Sequence, residues 1–293
     1  MNISLALGGG GARGNAHLGV IRRLQKEGFR IRAVAGTSFG GIVAALFALG
    51  YPIDEIEDLF ARVDQSRLYG RVGSDGASLL GLVGVSSWLD SVLGERSFAD
   101  LKLPCALTAV DMKSGREVIL SKGSLKDAVL ATIALPGIFP VFAVDGLELV
   151  DGGVLDPVPV SVARALAPGL PVVAVVLSLP QGAPVRHIPL PVPRRLPRLL
   201  FDRIVRTRFA RVFDAYVRSV EIGSRQMAEL RLQGEAPEVI IRPAVEQIEL
   251  LDRVNVREVA SLGEQAVEAA MPELLRIMPW ARRIGRRWTR NRQ

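Results

Sequence analysis

Short apolar runs alternate along the first part of the chain with longer segments in which apolar side chains recur at helical spacing. The short runs predict strands at 3–7, 31–35, 147–150 and 172–177. The longer segments predict helices at 15–26, 42–49, 124–134 and 160–166, with Ser124 as the cap of the third. This alternation predicts an α/β fold, in which a mostly parallel central sheet is covered by helices on both faces.

The remaining segments are less uniform. Strands at 105–110 and 118–120 are predicted to form a hairpin, whereas 64–94 is less regular. Six prolines between Pro180 and Pro197 indicate a loop or linker. A C-terminal helical extension follows, with a short strand at 239–241 and a core helix at 256–271. Its first helix is long and amphipathic, and we expect it to pack on the sheet through Phe209, Val212, Phe213, Tyr216, Val220 and Met227.

Composition fits one large domain, because 49% of the 293 residues are hydrophobic and 23% are charged. We place this domain at 1–272, with the proline-rich loop at 180–198 inside it, and a basic tail at 273–293. The only cysteine, Cys105, lies in an apolar run and is expected to be a buried thiol.

No apolar run reaches the roughly 18 residues that span a bilayer. With no signal-like segment after Met1, we expect a cytoplasmic protein, with peripheral attachment to the inner face of the membrane as an option.

The net charge of +7 is concentrated in arginine clusters at 186–211 and 282–292. In the tail, Trp280, Ile284 and Trp288 recur every four residues among arginines, which is typical of a helix in a membrane interface. A disordered basic tail explains the same segment equally well. We therefore expect an anionic membrane surface as a partner. We expect no nucleic acid, because stacking aromatics are missing from the clusters apart from two tryptophans and no nucleic-acid-binding module is recognisable.

A glycine loop, Gly8-Gly9-Gly10-Gly11-Ala12-Arg13-Gly14, lies between the first strand and the first helix. Consecutive glycines let backbone N–H groups converge on an anion, and the helix N-terminus adds a positive dipole end. The spacing also satisfies a dinucleotide-binding pattern, but the next strand does not end in the acidic residue needed for a ribose. A phosphate-binding P-loop would need a lysine where Asn15 stands. An oxyanion-binding loop is the better interpretation.

The second candidate element is the turn Gly36-Thr37-Ser38-Phe39-Gly40, between a predicted strand and a predicted helix. The pattern G-x-S-x-G in this context is typical of a nucleophile elbow, in which a strained turn exposes a serine hydroxyl. The alternative is an ordinary tight turn whose serine only caps the helix. Ser38 is therefore the candidate nucleophile.

The third element is Asp151-Gly152-Gly153, directly after a predicted strand. A carboxylate there can reach the edge of the sheet where Ser38 and the glycine loop are expected, and can act as a base within hydrogen-bond reach of the hydroxyl. Asp151 could instead be an ordinary residue of a glycine turn. Asp111 also ends a strand and is the main rival for the role of base. The residues after it, however, are expected to form an exposed hairpin turn.

The chain has only two histidines, His17 and His187, so a Ser-His-Asp triad is difficult to build. His17 is expected to be buried in the first helix beneath the glycine loop, and His187 to lie in solvent in the proline-rich loop. Neither belongs to a group of ligand-type residues at metal-binding spacing. We expect no metal and no other cofactor.

Taken together, these elements resemble those of bacterial patatin-like phospholipases. The resemblance rests, in chain order, on G-G-G-x-R-G at 9–14, G-x-S-x-G at 36–40, the segment 134–140 and D-G-G at 151–153. It implies a lipid acyl hydrolase of the phospholipase A, lysophospholipase or esterase type, with a Ser-Asp dyad and no histidine. Ser38 would be the nucleophile and Asp151 the base. The oxyanion hole would be formed by Gly9, Gly10 and Gly11, with Arg13 and Gly14 of the same motif as further candidates.

Four residues depart from the pattern of the family: Phe39, Thr132, Val141 and Asp156 replace a smaller residue, a serine, a proline and an asparagine, respectively. None belongs to the proposed dyad or oxyanion hole, so the departures concern substrate preference. A catalytically silent, lipid- or membrane-binding regulatory protein of the same fold is the alternative function.

Overall fold

The computed structural model describes residues 1–63, 68, 80–179 and 208–278. Its strands are β1 Asn2–Leu7, β2 Arg30–Gly36, β3 Cys105–Asp111, β4 Arg116–Leu120, β5 Phe142–Val144, β6 Leu147–Asp151, β7 Val172–Val175 and β8 Val239–Ile241. Its α-helices are α1 Ala16–Lys26, α2 Phe39–Leu49, α3 Ile53–Arg62, α4 Val83–Leu93, α5 Leu125–Thr132, α6 Val160–Leu166, α7 Arg208–Glu235, α8 Val256–Ala269 and α9 Met271–Ile277. Short 3₁₀ segments cover Gly11–Asn15, Phe98–Asp100 and Gly152–Val154.

The strands of the described residues form one mixed sheet. β3, β2, β1, β7 and β8 are parallel neighbours in that order, whereas β4, β5 and β6 pair antiparallel. Alternate residues of β1 belong to two cores: Leu5 packs with α1, α2 and α8, and Ala6 packs with α6 and α7. Helices therefore cover both faces of a mostly parallel sheet, which confirms the predicted fold class.

A row of alanines lets helices approach one face of this sheet closely. Ala6 of β1 pairs with Ala35 of β2 and Ala174 of β7, and Ala35 pairs with Ala106 of β3. All four are buried in the core that α6 and α7 complete. Because a methyl group occupies little space, the helices pack near the backbone at the centre of the sheet.

β6 reaches the sheet in the opposite direction to the parallel strands. Leu107 of β3 pairs with Gly36 of β2, and two residues later Ala109 pairs with Asp151 of β6. β4 occupies the other edge of β3 along the same residues. β2 and β6 therefore share one edge of β3 and meet end to end, which brings residue 151 to the turn that follows β2.

Two local predictions are wrong. The stretch 64–94, expected to be less regular, contains helix α4 at Val83–Leu93. The face of α7 that packs on the sheet also differs from the predicted one. Val212 and Tyr216, which were predicted to pack, are exposed, whereas Val217, Arg225, Ala228 and Leu232 are buried. α7 itself, the hairpin β3–β4, the strand β8 and the buried Cys105 are all found as predicted.

Several predictions fall outside the described residues: the proline-rich loop, His187, the part of the basic tail after residue 278 with its two tryptophans, and the side chains of Phe209 and Phe213. The division of the chain after residue 272 stays a prediction, and α9 runs across that position. Among the residues that the structure describes, no helix is both long enough and apolar enough to cross a membrane.

Candidate active site

Ser38 occupies a strained turn between β2 and α2. Its backbone has φ 55° and ψ −127°, a conformation that residues with a side chain rarely adopt. The turn needs its two glycines: a Cβ on Gly36 would overlap the carbonyl of Gly40, and a Cβ on Gly40 would overlap the carbonyl of Leu7. The Ser38 side chain makes no capping hydrogen bond to α2, so the capping alternative is wrong. The hydroxyl is left available for other chemistry.

Threonines hold this turn from two sides. The Ser38 backbone N–H donates to Thr132 Oγ1 at 2.9 Å. The hydroxyl of the preceding residue, Thr37, donates to the Asp156 carbonyl at 2.8 Å and lies 2.7 Å from the hydroxyl of Thr108. Thr37, Thr108 and Thr132 are completely buried. The strained backbone is therefore fixed by side chains of β3 and α5 and by a backbone carbonyl of the segment after β6.

Asp151 meets Ser38 at this point, at the end of β6. Its side chain is buried, with 3% of the residue exposed, and Oδ1 accepts a hydrogen bond from the Gly153 N–H at 2.7 Å. Burial raises the pKa of Asp151 to about 6, against the opposing effects of its hydrogen-bonding interactions with the Ser38 side chain and the Gly153 amide. The carboxyl group is thus ionised near neutral pH and more basic than an exposed aspartate.

Among the described residues, the glycine loop presents two unpaired amides in the cavity that Ser38 also lines. Gly9 lies against the serine, since a Cβ on Gly9 would be 3.2 Å from Ser38 Cβ. The Gly9 N–H, however, already donates to the Pro157 carbonyl at 2.9 Å, so its role as an oxyanion donor stays a prediction that this bond speaks against. Within the described residues the N–H groups of Gly10 and Gly11 have no acceptor, and both glycines line the cavity described below. These are the amides that can receive an oxyanion.

Arg13 and Gly14 have structural functions in this loop. Arg13 is buried, its Nε donates to the Ile248 carbonyl at 2.6 Å, and its Nη2 lies 3.5 Å from Glu221. Its guanidinium therefore fastens the segment before α8 to α7, and a contribution of Arg13 to the oxyanion hole stays a prediction. A Cβ on Gly14 would overlap the ring of Phe39, so Gly14 makes space for that ring.

The other candidate bases are occupied elsewhere. His17 is fully buried, its Nε2 donates to the Gly8 carbonyl at 2.8 Å, and burial lowers its pKa to about 4. It supports the glycine loop from below, as predicted. Asp111 accepts hydrogen bonds from the amides of Lys113, Ser114 and Glu148 and from the Ser114 hydroxyl, which lower its pKa to about 2. Asp111 organises the β3–β4 hairpin and is not the partner of Ser38.

Sequence reasoning missed an ionic cluster around the buried Asp156, behind the turn. Arg231 of α7 lies 2.9 Å from Glu117, 3.0 Å from Glu235 and 3.2 Å from Asp156. Asp156 is completely buried, and burial raises its pKa to about 8, although Arg231 opposes this rise. The same residue accepts the Thr37 hydroxyl through its carbonyl, so the cluster links α7 to the serine turn. The only sequence signal for this cluster was Asp156 itself, which stands where the family pattern has an asparagine.

A cavity of about 520 Å³ opens beside Ser38 and Asp151. Its size lies within the range of pockets that enclose small organic ligands. Gly10 and Gly11 line it together with apolar side chains from α2, α3 and α4. A hydroxyl, a buried carboxylate, two free amides and an apolar cavity suit nucleophilic attack on an ester of an apolar acid.

Comparison with known proteins identifies relatives of this chain. The family model described as Patatin-like phospholipase matches residues 5–164. An uncharacterised NTE family protein of Mycobacterium tuberculosis is 35% identical over 187 residues, which is 63% of this chain and 51% of the relative. Lysophospholipase NTE1 of Saccharomyces cerevisiae is 30% identical over 173 residues, covering 56% of this chain and 10% of the yeast protein. The chain thus matches about half or less of the length of these relatives.

One solved structure has a similar fold. The crystal structure of VipD from Legionella pneumophila superposes with a TM-score of 0.55 and covers 92% of this chain and 67% of that chain. The two sequences are 13% identical, so the likeness concerns the fold alone.

Proposed function

Because the chain belongs to the patatin-like phospholipase family, we propose that it hydrolyses lipid acyl esters with Ser38 as nucleophile and Asp151 as base. The observation that carries this proposal is the half-buried Ser38 hydroxyl beside the buried Asp151 carboxylate in one apolar cavity. The lysophospholipase name of the fungal relatives supports a lipid ester as substrate.

In the first half of the reaction, the Asp151 carboxylate accepts the proton of Ser38 as Oγ attacks the ester carbonyl. The carbonyl oxygen becomes an oxyanion, which the amides of Gly10 and Gly11 stabilise. The intermediate collapses to a serine ester, and the leaving alcohol takes the proton from Asp151.

In the second half, Asp151 removes a proton from water, and the resulting nucleophile attacks the serine ester. The same amides bind the second oxyanion. Collapse releases the fatty acid and returns the proton to Ser38. A carboxylate with a pKa of about 6 can accept and return this proton near neutral pH.

The test is turnover of p-nitrophenyl and lysophospholipid esters by wild type, Ser38→Ala and Asp151→Asn. We expect both variants to lose at least about a thousandfold in kcat, as removal of a dyad member does in other serine hydrolases. Ser261→Ala, an exposed serine on α8, is the matched control and should retain wild-type activity. A fluorophosphonate should label Ser38 in wild type and in the control. Undiminished turnover by folded Ser38→Ala would remove the assignment.

We further propose that an anionic membrane surface presents the substrate, on the basis of the arginine-rich segments. Co-sedimentation with vesicles containing phosphatidylglycerol should fall when the chain is ended at residue 278. Equal binding of the full-length and the shortened protein would exclude a role for the tail in membrane binding. Vesicle binding without turnover of any ester would favour the silent regulatory alternative.

A further inference from the structure

The cavity beside Ser38 has two chemically different sides. The charged residues that line it, apart from Asp151, come from the glycine loop, α7 and the segment 250–254: Arg13, Glu221, Arg225, Asp252 and Arg253. In contrast, the described lining residues from α2, α3 and α4 are all apolar: Phe39, Ile42, Phe60, Val85 and Trp88. We call this second side the apolar arm. A charged or strongly polar group in the apolar arm would lose its hydration without gaining a partner.

Three aromatic rings follow one another along the apolar arm. The Phe39 ring, next in sequence to Ser38, meets the Phe60 ring edge-on with 5.3 Å between centroids. The Phe60 ring lies 5.6 Å from the Trp88 ring. Phe39 is held in place because Gly14 leaves room for its ring. These rings, the aromatic row, lead from the nucleophile to α4.

We propose that the aromatic row determines which acyl chains the enzyme accepts, and that Trp88 limits their length. This inference rests on the proposed function, because the serine ester fixes the acyl carbonyl at Ser38. The methylene groups of the acyl chain then pass Phe39 and Phe60 before they reach Trp88. The preferred substrates are esters of unbranched, uncharged fatty acids, whose polar leaving group faces the charged side of the cavity.

Each methylene that leaves water for the apolar arm should raise kcat/KM roughly fourfold, since burial of one CH₂ has about that effect on an equilibrium constant. The rise ends where the chain meets the ring of Trp88. Removing that ring extends the space and lets further methylenes enter. The chain length with the highest kcat/KM therefore depends on residue 88.

The test uses straight-chain p-nitrophenyl esters from acetyl to palmitoyl, which share one leaving group. For Trp88→Ala we expect the optimum to move to longer chains. The ratio of kcat/KM for the longest ester to that for the shortest should rise about tenfold or more, equivalent to two further buried methylenes. Trp88→Phe should give an intermediate shift, and it keeps the test decisive if the alanine variant does not fold. Phe98→Ala removes an aromatic ring that does not line the cavity and should leave the optimum unchanged.

The outcomes separate the two proposals. If wild type turns over esters and Trp88→Ala has the same chain-length profile, or loses activity equally at every length, the inference about the aromatic row is overturned. The dyad assignment then survives. If wild type hydrolyses no ester of any length and Ser38 is not labelled by a fluorophosphonate, the proposed function fails, and this inference fails with it.

Discussion

Thr132 Oγ1 accepts a hydrogen bond from the backbone N–H of Ser38 at 2.9 Å, and Thr132 is completely buried. This bond fixes the amide of the residue whose backbone is the most strained in the site. A serine at this position would offer the same hydroxyl. Thr132 therefore holds the turn through its hydroxyl, while its methyl group lies against Gly41.

Thr132→Val removes the acceptor and leaves the Ser38 amide buried without a partner. We expect a loss of about 1–3 kcal/mol in the free energy of unfolding and at least a tenfold loss of kcat. Thr132→Ser keeps the acceptor and should retain most of the activity. Chemical denaturation and ester turnover measure both effects. Equal behaviour of the two variants would show that the bond does not hold the turn.

Asp151 should give the reaction a pH dependence. Only the ionised carboxylate can accept the proton of Ser38, and its pKa is about 6. We therefore expect kcat/KM for an uncharged ester to fall about tenfold per pH unit below pH 6 and to level off above it. Circular dichroism over the same range controls for acid unfolding. A rate that stays constant between pH 5 and pH 8 would contradict Asp151 as the base.

Asp156 should lower stability at alkaline pH. Its pKa is raised from 3.8 to about 8 in the folded protein, so the folded state holds a proton that the unfolded state releases. The stabilisation from this proton is complete below about pH 4, decreases once the unfolded state ionises, and is gone above about pH 8. Asp156→Asn cannot ionise and should unfold with about 1–3 kcal/mol more free energy than wild type at pH 9.

At about pH 3, where Asp156 is protonated in both the folded and the unfolded state, the variant and wild type should be nearly equal in stability. Arg231 keeps its ion pairs with Glu117 and Glu235 in the variant. Thermal melts at the two pH values provide the comparison. A stability difference that does not change with pH would mean that Asp156 is already ionised in the folded protein.

Gly263 marks the contact between α8 and α1. A Cβ on Gly263 would overlap the carbonyl of Ala16, and a Cβ on Gly19 would overlap the carbonyl of Ala260. Alanine is the better helix former by about 1 kcal/mol, but backbone overlap of this kind costs about 1–3 kcal/mol. We expect Gly263→Ala to lower the free energy of unfolding.

Gly223→Ala is the matched control for this substitution. Gly223 lies in α7, and a Cβ added to it would have no neighbouring atom within 4 Å, so only the helix preference remains. This variant should gain about 0.5–1 kcal/mol. Urea unfolding of both variants measures the contrast, and a stabilised Gly263→Ala would show that the two helices can separate at little cost.

The local sequence predicts most helices and strands. It fails where contacts with residues distant in sequence determine whether an element forms or which of its faces is buried. Helix α4 contains β-branched residues, serines and a glycine, so its periodicity is weak, and it forms because Val85, Leu89 and Val92 are buried by the rest of the core. α7 turns a different face inward because Glu221 pairs with Arg13 of the glycine loop and Ala228 allows close approach to the sheet. Neither reason is visible in the helix by itself.

The candidate site shows the same division. Short motifs identify Ser38 and Asp151 because strained turns need glycines at fixed positions. The functions of Gly9 and Arg13 are not predictable, since their partners are carbonyls of Pro157 and Ile248, more than 100 residues away. The antiparallel direction of β6 is also hidden, because no local pattern distinguishes it from a parallel strand.

The pairing of β1 with β7 affects how this chain can be shortened. A fragment ending at residue 164, where the family match stops, would contain Ser38, Asp151 and the whole glycine loop. It would lack β7, so β1 would become an edge strand with a row of unpaired backbone groups along Ser4–Leu7. The Gly8 N–H would also lose its acceptor, the Val175 carbonyl. Such a fragment should aggregate through that exposed strand although it carries every proposed catalytic group.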